Sequence, residues 1–133
     1  MFFALAASVV TLHCQVFDIS TGESQGEARA FTATVDYGRE YVYLKGEPFG
    51  SGMGVGDLDV TPGAILVPHA NLGDTGTLRG VRISRETGEV RIITYDLRTA
   101  ISDASNQTGL EGERSYAGAC RPGVLVPIPS AKF

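Results

Sequence analysis

Between residues 28 and 37 the chain reads ARAFTATVDY, and the apolar side chains fall on every second position: Phe31, Ala33, Val35 and Tyr37. Thr32, Thr34 and Asp36 fill the gaps, so this is a strand with one buried face and one wet face. EYVYLKG follows after Gly38-Arg39, a short hairpin link. The clearest unit is GVRISRETGEVRIITYDL. In it Val81 and Ile83 alternate with Arg82 and Ser84, Glu86-Thr87-Gly88 turns the chain, and Val90 and Ile92 alternate with Glu89 and Arg91. Gly88 is the residue able to supply the positive φ that a tight hairpin with a bulge demands. The alternation slips at Ile92-Ile93, which signals a bulge or burial on both faces. Helical spacing occurs once, in DLRTAISDASNQ, where Leu97, Ala100, Ile101 and Ala104 share a side.

The pattern predicts an all-β fold: a single small antiparallel barrel or sandwich of roughly six to eight strands with at most one short helix. The 133 residues suit one domain with a real core, and 17 glycines and 6 prolines fit short strands joined by many turns. No internal repeat or linker divides the chain. RPGVLVPIPSAKF (121–133) carries three prolines and cannot be a central strand. It reads as an extended tail lying across the outside of the sheet or across a neighbouring subunit.

The first dozen residues, within MFFALAASVVTLHC, are apolar but too few to span a bilayer, which takes roughly 20. A basic region is missing before them, and Ala4-Leu5-Ala6 comes too early for cleavage. Residues 1–13 are therefore a shortened export signal or a buried first strand. Cys14 and Cys120 sit near opposite ends, in TLHCQV and YAGACR. Two cysteines flanking nearly the whole fold favour a disulfide from first strand to last over two buried free thiols. The net charge is −4 with the arginines dispersed, which argues against general nucleic-acid binding.

GSGMGVGDLD (50–59) is the stretch that looks most like a motif. A phosphate loop would need a Gly-Lys-Ser/Thr ending, and a dinucleotide fingerprint a helix behind it. Here Asp57 follows, the next stretch (DLDVTPGAILV) is not helical, and two carboxylates would repel phosphate. Asp57 and Asp59, two apart in an extended chain, would share a face and make a minimal oxygen site for calcium. The favoured reading is a mobile, glycine-rich connection at one end of the barrel, with room for another backbone to cross it closely. Phe31, Tyr37, Tyr41 and Tyr43 lie in adjacent strands and are core or the lining of a ligand cavity. His13 alternates toward solvent or a polar rim. His69, in LVPHANLGD, would need Asp74 or Asp57 and a serine, with no nucleophile elbow to support them. Acidic pairs for glycoside cleavage are available from Glu23, Glu27, Asp36 and Glu47, but nothing selects one. Asn106 to Thr108 is a glycosylation acceptor only in a eukaryotic secretory pathway. No cofactor or metal set stands out, so the chain reads as not an enzyme.

Taken in order, LHC in the first strand, Ile83-Ser84-Arg85-Glu86-Thr87-Gly88, Gly118-Ala119-Cys120 and a proline-containing tail ending Lys132-Phe133 form a pattern. It resembles a diffuse set of small uncharacterised bacterial and phage-encoded β proteins, many of them exported. The resemblance covers about a third of the chain and implies a disulfide-tied β domain without catalytic residues. The lack of a full signal peptide departs from the exported members. The expectation is a non-catalytic structural or binding module, periplasmic or secreted. The alternatives are a virion or assembly component whose ends pack on neighbouring subunits, and a ligand carrier or enzyme with a tyrosine-lined cavity. A protein partner or self-assembly is expected, with no nucleic acid and no transmembrane segment.

Overall fold

The computed structural model describes residues 8–20, 25–71, 76–96 and 113–129. Among them the chain forms ten strands and no helix. The first five are β1 (Val9–Asp18), β2 (Gln25–Asp36), β3 (Tyr41–Gly46), β4 (Gly50–Val55) and β5 (Asp59–Val60). They are followed by β6 (Ala64–Val67), β7 (Ala70–Asn71), β8 (Gly76–Ser84), β9 (Glu89–Asp96) and β10 (Glu113–Pro122). The count exceeds the expected six to eight because β5 and β7 are two-residue pairings, too short to leave a periodic signal. The candidate helix, residues 96–107, lies outside the described residues apart from Asp96, which ends β9.

All pairings are antiparallel, in the order β4-β3-β2-β1-β10-β9-β8-β6-β5, with β7 beside β8. The sheet's two edges, β4 and β5, are consecutive in the chain and joined only by Gly56, Asp57 and Leu58. Laid flat, nine strands would span about 38 Å from edge to edge. The four steps from Val55 to Asp59 reach at most about 14 Å. The sheet must therefore curl, and it forms a half-barrel. Leu58, in the link, is buried, and its N–H bonds Glu40 O at 3.1 Å, fastening the seam to the β2–β3 turn.

One core fills the concave side. Phe31, Ala33 and Val35 of β2 meet Val42 and Leu44 of β3, while Leu78, Val81 and Ile83 of β8 meet Val90 and Ile92 of β9. The inward set matches the alternation read from the sequence on β2, β8 and β9, whereas on β3 Val42 and Leu44 turn inward and Tyr41 and Tyr43 do not. Gly88 has φ 81° in the β8–β9 turn, where a side chain would press on Cys120 O. At Ile92-Ile93 β9 has neither a bulge nor burial on both faces, because its side chains go on alternating; the register shift lies on the neighbouring strand, between Leu78 and Gly80 of β8. Ile93 faces outward, 41% exposed, and Thr94 is buried. Arg121 and Pro122 close the central strand β10, two residues into the stretch expected to be tail. Pro122 is tolerated there because the pairing with β9 ends at Ala119, so at Pro122 the strand is flanked by β1 alone and has the free side of an edge.

Candidate functional site

Cys14 and Cys120 are directly opposed in the β1–β10 register, with Cα atoms 4.0 Å apart, and they form a disulfide. It spans a sequence separation of 106 and joins the first and last strands at the middle of the sheet. Cys14 is 2% exposed and belongs to the core. No helix among the described residues is long and apolar enough to cross a membrane.

The glycine run is an edge strand rather than a loose connection. Its alternating glycines face outward, on the side that carries Tyr41 and Tyr43 of β3. Tyr43 lies across Gly52, and Tyr41 across Gly54, so that a Cβ at either glycine would collide with a phenol ring. Tyr43 Oη also donates to Ser51 O at 3.4 Å. Gly52 further needs its φ of 137°, whereas Gly54 has no such conformational demand. What crosses the bare backbone is thus the aromatic rings of the next strand, not another backbone.

This separates the four candidate aromatics. Phe31 is buried and packs edge-on to Phe49, centroids 4.9 Å apart. Tyr37 lies against the same core, with the Arg85 guanidinium 5.1 Å from its ring centre. Tyr41 and Tyr43 stand on the opposite face, so the four do not line one cavity; the one-residue parity of strand side chains decides it. Asp57 and Asp59 are both exposed, but Asp57 has φ 58°. The chain is not extended there, and the same-face argument for a cation site fails. Among the described residues no three His, Cys, Asp or Glu side chains gather as a metal site would require.

On the outer face, residues 123–126 run across β1 and β2. Val126 N donates to Thr11 Oγ1 at 2.9 Å, and the Thr34 hydroxyl donates to Val126 O at 2.7 Å. The two hydroxyls are 2.8 Å apart. The N–H only donates and the carbonyl only accepts, so the protons run one way around a closed ring: Val126 to Thr11, Thr11 to Thr34, Thr34 to Val126. Both threonines are buried by the tail. His13 Nε2 lies 2.9 Å from Val124 O and donates to it. Two of the tail's apolar side chains point away, Val124 at 81% exposed and Leu125 at 54%, while Val126 and Ile128 are half-buried.

Beside the tail lies an open trough of about 790 Å3. Lys45, Thr32, His13 and Arg121 form one cross-strand row over β3, β2, β1 and β10. The next row on the same face is Ala30, Gln15 and Ala119, whose short alanines leave the floor low. Sequence reading missed this site, since its residues are far apart in the chain and none belongs to a motif.

At one end of the sheet Tyr116 is buried under Arg29, whose guanidinium is 5.4 Å from the ring centre and donates to the phenol at 3.3 Å. Burial raises the Tyr116 phenol above its ordinary value, more than Arg29 lowers it. Burial also pushes the nearby Asp18 carboxyl up, but hydrogen bonds from the Ser20 hydroxyl and N–H, with Arg114 and Arg29, outweigh it and hold Asp18 low. His69 is exposed beside Thr77, Arg79 and Tyr95; Asp74 lies outside the described residues. Of the acidic candidates, Asp36 is bound by Arg39 at 2.8 Å, Glu27 and Glu47 are exposed, and Glu23 lies outside the described residues, as does 106–108. Comparison with protein-family models, with curated proteins and with solved structures yields no match.

Proposed function

We propose that this protein is a non-catalytic structural or binding module that works outside the cytoplasm. The Cys14–Cys120 disulfide carries the reading, because such bonds persist in oxidising compartments and are rare where thiols are kept reduced. A packed concave side leaves the outer face as the working surface. Alkylation of the protein as taken from its native source tests it. In denaturant both cysteines are expected to resist iodoacetamide until a reductant is added; ready alkylation of both in denaturant without reductant sinks the proposal.

A second reading, an assembly component such as a virion protein, draws on the tail. Val124 and Leu125 expose large apolar side chains on a strap held to the sheet mainly by its backbone. Light scattering of the purified protein would show self-association, and a monomer at all concentrations would end this reading.

A further inference from the structure

We propose that the trough beside the tail is a docking site for an extended, acidic peptide segment of a protein partner. This names the partner class for the binding module proposed above and rests on that reading.

Charge is the first argument. The chain is acidic overall, at −4, yet Lys45 and Arg121 stand in one row with His13 between them, and the described lining carries no carboxylate. With strands about 4.8 Å apart, Lys45 and Arg121 are three steps, about 14 Å, apart at the backbone. That is the reach of four to five residues of extended peptide, at about 3.3 Å each. Two carboxylate residues border the floor row without lining the trough: Glu89, opposite Ala119, and Glu47, whose N–H bonds Ala30 O at 3.2 Å.

Shape and precedent within the molecule favour a peptide over other anions. The same face already holds one extended segment, the tail, by bonding the N–H and C=O of Val126 to side-chain hydroxyls. The trough lies directly alongside that segment, with Val126 on its wall. Its floor offers the Thr32 hydroxyl and the Gln15 amide, neutral groups able to meet a peptide's main chain while Lys45 and Arg121 meet its carboxylates. Phe17 adds an apolar patch.

The test uses the full-length oxidised protein and fluorescence anisotropy with a labelled oligo-glutamate peptide. Oligo-glutamate is expected to bind more tightly than oligo-glutamine and to weaken as salt is raised. Lys45→Gln and Arg121→Gln should each weaken it about 2- to 5-fold, the scale of an exposed ion pair. Ala30→Phe and Ala119→Phe keep every charge but fill the floor, and each should weaken binding more than the charge variants do; circular dichroism confirms their fold. Equal binding of the two peptides, or wild-type affinity in both phenylalanine variants, overturns the proposal. Tighter binding of a sulfated oligosaccharide or of phosphatidylserine vesicles than of the peptide overturns it as well. The disulfide assay is independent of these outcomes, so the docking site and the module reading fail separately.

Discussion

Gly54→Ala should destabilise the protein, yet become stabilising once Tyr41 is removed. The new methyl at position 54 would occupy the space of the Tyr41 phenol, and the ring would have to swing off the edge strand. That move forfeits the cross-strand contact, about 0.5–1 kcal/mol, and the stacking of Arg39, whose guanidinium sits 5.7 Å from the ring centre, about 0.5–1 kcal/mol at an exposed site. Against this loss of about 1–2 kcal/mol, alanine in a strand is better than glycine by about 0.5–1 kcal/mol. The net cost is about 0.5–1 kcal/mol in the wild-type background. In Tyr41→Ala the phenol is gone and only the alanine gain remains, so the sign reverses. Gly52 supplies the control: its φ of 137° strains any side chain, so Gly52→Ala should stay destabilising even in Tyr43→Ala. Urea unfolding followed by far-UV circular dichroism measures all six variants, and the chain has no tryptophan to complicate the signal. If Gly54→Ala changes stability equally with and without Tyr41, within about 0.3–0.5 kcal/mol, the phenol is not the reason for the glycine.

Reduction of the Cys14–Cys120 disulfide should lower stability by about 3–5 kcal/mol, since a loop this long is worth about 4.7 kcal/mol of unfolded-state entropy. Thermal melts of oxidised and reduced wild type should then differ by roughly 10–15 °C, with Cys14→Ala/Cys120→Ala resembling the reduced form. Thr34→Val opens the hydroxyl ring and leaves Val126 O without that donor, at a cost of about 1–3 kcal/mol, read as faster amide exchange at Val126 and earlier carboxypeptidase trimming. Asp18 has its folded-state pKa below the unfolded value, so its stabilisation is full above the unfolded value of about 3.9 and disappears as pH falls through the folded one. Asp18→Asn should therefore be less stable than wild type at neutral pH, the gap closing below about pH 4 in acid-unfolding curves. Asp57→Gly should leave stability near the wild type, while Asp57→Val should cost about 1–2 kcal/mol because its φ of 58° excludes β-branched residues.

The strands β2, β8 and β9 with their inward sets, the positive φ of Gly88 and the pairing of the two cysteines were legible from the chain alone; β3 was legible as a strand, but Tyr41 and Tyr43 read as core or cavity lining where Val42 and Leu44 turn inward. Each depends on local stereochemistry or on a simple end-to-end relation: side chains alternate every residue along a strand, and a tight hairpin needs a left-handed residue. The glycines of residues 50–56 were not legible in this way. Their reason sits on β3, in two phenol rings that need an open floor, and it exists only once Tyr43 is set against Gly54 in register. Strand parity likewise placed Phe31 and Tyr37 on one side of the sheet and Tyr41 and Tyr43 on the other. The cationic row joins positions 13, 32, 45 and 121, which nothing in the chain relates until four strands are laid side by side. Local pattern decides which residues turn inward. Only the register of the curled sheet, closed by a three-residue link too short for anything flat, decides what the outward ones stand next to.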